Sequence, residues 1–236
     1  MDYDIYSWMQ YDSKLLNQYH LSFFEDDASR EGESVGVLDE KKIVEFFFGD
    51  AGIRHLLYKE LGLHTVPEHF LEISKPIAQY PGDIDVMLIN NANAHQTIAI
   101  ECKVVKVTFE RDGREKVNKI EKLAKGVGQA NGLREMGFYK SYLMVFIVSD
   151  ARFDLDNSHI WRRVSSEKLR LIVRFTGYED LHKNVGLIIC MISQPTGNNI
   201  RMTGSVAVKH KIPAEEQEQG TKLTAKIKEY LQSQGR

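Results

Sequence analysis

The chain has little cysteine, no long apolar run and almost no net charge, and each shortage excludes a class of protein. Its two cysteines, Cys102 and Cys190, sit apart in apolar, strand-like stretches, so a disulfide framework or a cysteine metal site is not expected, and both read as buried free thiols. The eight histidines form no H-E-x-x-H or related spacing, which leaves zinc chemistry without ligands. The longest apolar runs, Tyr142 to Val148 and Val185 to Ile192, are strand length and far short of a bilayer span. The first ten residues carry two aspartates and no basic residue, unlike a secretory signal. A cytoplasmic protein that does not use a membrane is the expectation. The formal net charge of −2 argues against a protein that coats nucleic acid non-specifically, because such affinity comes from Lys and Arg meeting phosphates.

What is present is a core and an uneven charge distribution. Of 236 residues, 42% are hydrophobic, enough for one domain with a buried interior. Residues 21–50 hold nine acids against three bases, whereas residues 103–140 hold ten bases against five acids, so one face can be basic. The expected division is an aromatic arm and acidic loop over 1–35, a core over 36–148, and an extension over 149–236 packed on the same domain.

Apolar spacing from Val37 to Phe48 is helical with a stop at Gly49, and a second helical piece runs from Ile53 to Leu61, ending at Gly62. Pro67 and Pro76 punctuate the connection that follows. Asp83 to Asn90 and Thr97 to Lys103 read as strands joined into a hairpin. A run from Val104 to Phe109 leads to the turn signal Arg111-Asp112-Gly113. A long helix from about Lys116 to Met136 and a buried strand from Tyr142 to Val148 come next. Beyond these lie a basic helical segment (Trp161 to Arg174), a buried strand (Val185 to Ser193), a hairpin partner (Asn199 to Lys209) and a terminal helix from Ala214. An α/β fold with a mixed central sheet of about five strands flanked by helices follows.

Side chains alternate between the faces of a strand. Glu101 and Lys103 therefore point together, and in the preceding strand Asp83 and Asp85 share a face. Hairpin pairing would gather these charges. Carboxylates crowded together are unfavourable unless a cation neutralises them, and Mg²⁺ prefers hard oxygen ligands and takes one or two protein carboxylates with substrate phosphate. On this reading Asp85 and Glu101 bind the metal, and Lys103 positions water or stabilises charge on phosphoryl oxygens. The alternatives are a solvated strand entry for Asp83 and Asp85, and an exposed ion pair, worth little, for Glu101 and Lys103.

Gly82-Asp83-Ile84-Asp85 followed by Glu101-Cys102-Lys103 resembles the PD-(D/E)XK nuclease signature in its G-x-I-D and E-x-K form. Gly36 with Glu40 is similar to the G-x-x-x-E element of Holliday-junction-resolvase-like and RecB-type members, and Gln129 resembles the glutamine of the RecB-type Q-x-x-x-Y element, with Leu133 where the tyrosine is expected. The resemblance covers residues 36–148. It implies a restriction-endonuclease-like core, a Mg²⁺ site (Mn²⁺ substituting) built from Asp85, Glu101 and Glu40, and Lys103 and Gln129 as further catalytic residues. The implied activity is phosphodiester hydrolysis by an endonuclease in restriction, defence or repair, with DNA favoured and RNA open. Its alternative is a catalytically silent nucleic-acid-binding or assembly module. Lys122 and Lys125 on the long helix, and Arg162 and Arg163 beyond it, could contact a nucleic-acid backbone, a solvated surface being the alternative. A homo-oligomer or a partner subunit stays open.

Overall fold

The computed structural model describes residues 40–49, 51–63, 69–75, 84–90, 93–110, 114–150, 164–193 and 205–233. The expected aromatic arm over 1–35, Gly36, Asp83, Arg162 and Arg163 lie outside them. In chain order the elements are α1 (Glu40–Gly49), α2 (Ala51–Glu60), β1 (His69–Lys75), β2 (Ile84–Asn90), β3 (Ile98–Phe109), β4 (Glu115–Asn118), α3 (Lys122–Glu135), β5 (Lys140–Asp150), α4 (Ser166–Val173), a 3-10 turn (Thr176–Asp180), β6 (Gly186–Ser193), β7 (Ser205–Ile212) and α5 (Thr221–Ser233). The fold is α/β.

Seven strands form one mixed sheet in the order β1-β2-β3-β5-β6-β7, with β4 also on β3. The two central contacts, β3 with β5 and β5 with β6, are parallel, and the remaining pairings are antiparallel. The sheet thus has two strands more than expected, β1 and β4. Strand β1 pairs antiparallel with β2 from His69↔Asn90 to Lys75↔Ile84. Strand β4 takes residues expected in the long helix, because Glu115 to Asn118 pair antiparallel with β3 in the register Phe109↔Glu115 to Lys106↔Asn118. Lys119, at φ 68°, separates β4 from α3, which starts at Lys122.

Two other expected helices are shorter for local reasons. Of Trp161 to Arg174, the helix takes Ser166–Val173, where Ser165 caps it by accepting from the Lys168 N–H at 3.3 Å. The Ser165 hydroxyl in turn donates to Glu115 at 2.6 Å, tying α4 to β4. The terminal helix begins at Thr221 rather than Ala214, since the segment before it is spent on bonds to other elements. Gln217 Nε2 donates to the carbonyls of Arg134 (3.0 Å) and Phe138 (2.6 Å), the first of which also accepts from the Gly137 N–H at 3.0 Å, and so ties this segment to the end of α3.

The sheet is covered on both faces. Ile43, Val44, Phe47 and Phe48 of α1, with Ile53, Leu56, Leu57 and Tyr58 of α2, pack against Val86, Leu88, Ile100, Cys102, Val104 and Phe146 on one face. Leu123, Val127 and Ala130 of α3 and Leu169, Ile172 and Val173 of α4 pack against Val105, Val107, Leu143, Val145 and Ile189 on the other. There α5 adds Leu223 and Ile227 beside Met87, Ile89 and Ala99. Each large apolar side chain withdrawn from water in this way stabilises the fold by roughly 1.5–3 kcal/mol before conformational entropy is counted. Both cysteines are buried thiols outside any disulfide, and no helix among the described residues is long and apolar enough to cross a membrane.

Register fixes which side chains share a face. Strand β2 pairs β3 as Leu88↔Ile98, Met87↔Ala99 and Val86↔Ile100, so Asp85, Glu101 and Lys103 follow the parity of Met87 and Ala99, toward α3. A slip of one residue of β2 along β3 would send Asp85 to the face opposite Glu101 and Lys103. The turn before β3 holds the register from outside the hairpin: the Thr97 N–H donates to Gln219 Oε1 at 2.9 Å, and Gln219 Nε2 donates to the Ala94 carbonyl at 2.7 Å.

Candidate active site

One edge of β3 is paired with β5 from Ile98 to Thr108. The other edge is divided between β2, which pairs as far as Ile100, and β4, which pairs from Lys106. Among the described residues no strand covers the stretch between them, and polar backbone groups left there need partners. Side chains supply them. Asp85 Oδ2, where β2 diverges, accepts from the Cys102 N–H at 2.7 Å. Glu40 Oε2 accepts from the Val104 N–H at 3.3 Å, and the Lys103 ammonium donates to the Cys102 carbonyl at 2.8 Å. Glu40 belongs to α1 on the far face of the sheet and reaches the site around this open edge.

Charge is concentrated at the same place. Lys103 Nζ lies 2.5 Å from Glu101 Oε1 and 3.5 Å from Glu40 Oε1. Glu101 is 3% exposed and Lys103 6%, whereas the Glu40 side chain keeps 37% of its surface. Burial, then the neighbouring Asp85 carboxylate, push the Glu101 carboxyl up to about 7 against the opposing pull of Lys103. Asp85 is also raised, chiefly by burial, although the Cys102 N–H and Lys103 act the other way, and it is within hydrogen-bonding reach of Glu101. Burial pulls the Lys103 ammonium down, but Glu101, Glu40 and Asp85 together hold it above its ordinary value. Three acids thus face one base, and two of the acids resist ionisation for want of a further positive charge.

The donor set fits a hard dication. Its oxygens are carboxylate oxygens, its fixed charge is in excess on the negative side, and desolvation has already been imposed by the fold. Among the described residues no group of three His, Cys, Asp or Glu side chains is placed to hold one ion. The expected set of Asp85, Glu101 and Glu40 is thus not placed to hold one ion together, because Glu40 is turned to Val104 and Lys103.

Helix α3 forms the wall above. A Cβ on Gly126 would stand 2.5 Å from Lys103 Cγ and 3.1 Å from Leu143 Cδ1, so this glycine lets the helix press directly on the lysine stem. Gly128 faces open space. Gln129 lies one turn before Leu133, which packs with Ile84 and Met87, and so occupies the flank of α3 turned toward β2. Its Oε1 is buried without a hydrogen-bond partner. Lys122 and Lys125 are exposed. The structure thus brings Asp85, Glu101, Lys103 and Glu40 together, sets Gln129 on the adjoining flank, and leaves the two lysines on the surface. Three glycines inside one helix, Gly126, Gly128 and Gly132, signal a close approach to the sheet or to nucleic acid without deciding between them, and at Gly126 the approach is to the sheet.

Two stability results follow from these contacts. Asp85→Asn keeps an acceptor for the Cys102 N–H, whereas Asp85→Ala strands a buried donor and is expected to cost about 1–3 kcal/mol more, as read by urea unfolding. Gly126→Ala is expected to lower stability by about 1–3 kcal/mol through overpacking on Lys103 and Leu143, while Gly128→Ala raises it by up to about 1 kcal/mol. Thermal unfolding of the two variants checks the opposite signs.

In comparisons with protein-family models, with curated proteins and with solved structures, nothing matches this chain.

Proposed function

We propose that the chain is a metal-dependent nuclease with a restriction-endonuclease-like core, hydrolysing phosphodiester bonds of nucleic acid, DNA before RNA. The observation that carries this reading is the pair of half-buried Asp85 and buried Glu101 at the open edge of β3, with the Lys103 ammonium 2.5 Å from Glu101. Asp85 and Glu101 would hold Mg²⁺, or Mn²⁺ in its place, and the ion supplies Lewis-acid polarisation of the scissile phosphoryl group. Lys103 orients the attacking water and stabilises negative charge on the phosphoryl oxygens. Glu40 keeps Lys103 charged and in place from the solvent side. Gln129 offers a buried acceptor suited to a proton of the attacking water or to orienting the scissile group. Lys122 and Lys125, exposed on α3, suit the phosphates of a bound strand.

A second reading has its own support. Asp85, Glu40 and Lys103 all satisfy backbone groups of β3, so the same constellation serves a catalytically silent nucleic-acid-binding or assembly module. Incubation of purified protein with supercoiled plasmid separates the two. The nuclease nicks or linearises plasmid with Mg²⁺ and leaves it intact with chelator. Intact plasmid under both conditions, from protein that still retards DNA in a gel, favours the silent module.

A further inference from the structure

The Lys103 ammonium has three N–H donors and three protein acceptors within reach: Glu101 Oε1 at 2.5 Å, the Cys102 carbonyl at 2.8 Å and Glu40 Oε1 at 3.5 Å. In this arrangement no donor is left for a water or a phosphate. The shortest contact falls on Glu101, one of the two carboxylates suited to an ion, and α3 presses on the lysine stem at Gly126. The longest contact falls on Glu40, which retains more than a third of its surface. We propose that Lys103 sets the divalent-ion affinity of the carboxylate pair by competing for it. In the metal-free protein its ammonium is the counter-ion of Glu101, and a dication enters only as that ammonium withdraws toward Glu40.

This rests on the metal-dependent reading above and adds a resting state to it. Two cations at one carboxylate oxygen repel each other strongly at such short range, less so where water screens them. Ion entry therefore breaks the Glu101 contact and returns an N–H of Lys103 to the site. The donor that orients water becomes available only when the ion is present, and the metal-free site is held closed by its own lysine.

Competition has an unusual consequence, that removing a residue needed for turnover tightens ligand binding. Mn²⁺ titrated calorimetrically into wild type, Lys103→Met and Lys103→Arg tests it. Methionine preserves an unbranched stem beneath α3 without charge, and arginine preserves the charge. Lys103→Met is expected to bind Mn²⁺ at least about tenfold more tightly than wild type, and Lys103→Arg no more tightly. Saturable binding by wild type with no gain in Lys103→Met, or the same gain in Lys103→Arg, overturns the competition and leaves the metal reading standing. No saturable binding by any of the three overturns both. Should Lys103→Met fail to fold, the ¹⁵Nζ resonance of Lys103 in wild type decides. It is expected to shift as Mg²⁺ saturates the protein, and an unchanged resonance at saturation overturns the proposal.

Discussion

Lys103→Ala is expected to lower plasmid cleavage by about 10³-fold at saturating Mg²⁺, in the range for loss of one group that moves a proton or stabilises transition-state charge. Wild-type Lys103 is 6% exposed, and its Nζ is 2.5 Å from Glu101. Truncation therefore removes a fixed cation from a site where little water replaces it. Saturating ion is essential to the comparison, because the metal-free variant leaves Glu101 buried without its counter-charge, a change that can itself cost several kcal/mol. Rates measured alongside circular dichroism separate loss of turnover from loss of fold. Equal cleavage by wild type and variant would trace the activity to another site or to a contaminant.

The second large effect concerns the metal-free protein alone. Glu101 has its ordinary value of 4.5 in the unfolded chain and about 7 in the folded one. Between those values the folded state holds the proton that the unfolded state has lost, so stability is highest below pH 4.5 as far as this group is concerned and declines as pH rises through the window. At about 1.4 kcal/mol per unit, the decline amounts to roughly 3 kcal/mol. Lys103, raised rather than lowered, titrates far above this range and does not mask it. Glu101→Gln carries no such proton and is expected to flatten the slope, becoming more stable than wild type near pH 8 in chelator. Urea unfolding at several pH values from 5 to 8 gives the result, and parallel wild-type and Glu101→Gln curves would contradict the buried-carboxyl account.

Much of the site was legible because strand periodicity is simple. Glu101 and Lys103 share a face by parity alone, and an apolar hairpin partner was enough to bring Asp85 to them. Glu40 entered through the resemblance of Gly36 and Glu40 to the G-x-x-x-E element, and by residue type alone it is only an acidic residue at the start of the first helix. Its reach around the sheet depends on the interruption between β2 and β4, and nothing within β3 itself marks where its partners stop. Strand β4 was hidden because Glu115 to Asn118 reads equally well as the first turn of a helix, and pairing with β3 decides the matter. Gly126 illustrates the same limit. A helical glycine announces a cost of about 1 kcal/mol, but the reason for tolerating it is the Lys103 stem on another element, 2.5 Å from where a Cβ would stand. Patterns local to one element were readable; those set by a distant surface were not.

Anomalous diffraction from a crystal of the protein soaked in Mn²⁺ tests the central claim most directly. A single strong peak shared by carboxylate oxygens of Asp85 and Glu101, with the Lys103 ammonium displaced from Glu101, is the predicted result. Manganese bound elsewhere while those two carboxylates keep only their protein partners would contradict it.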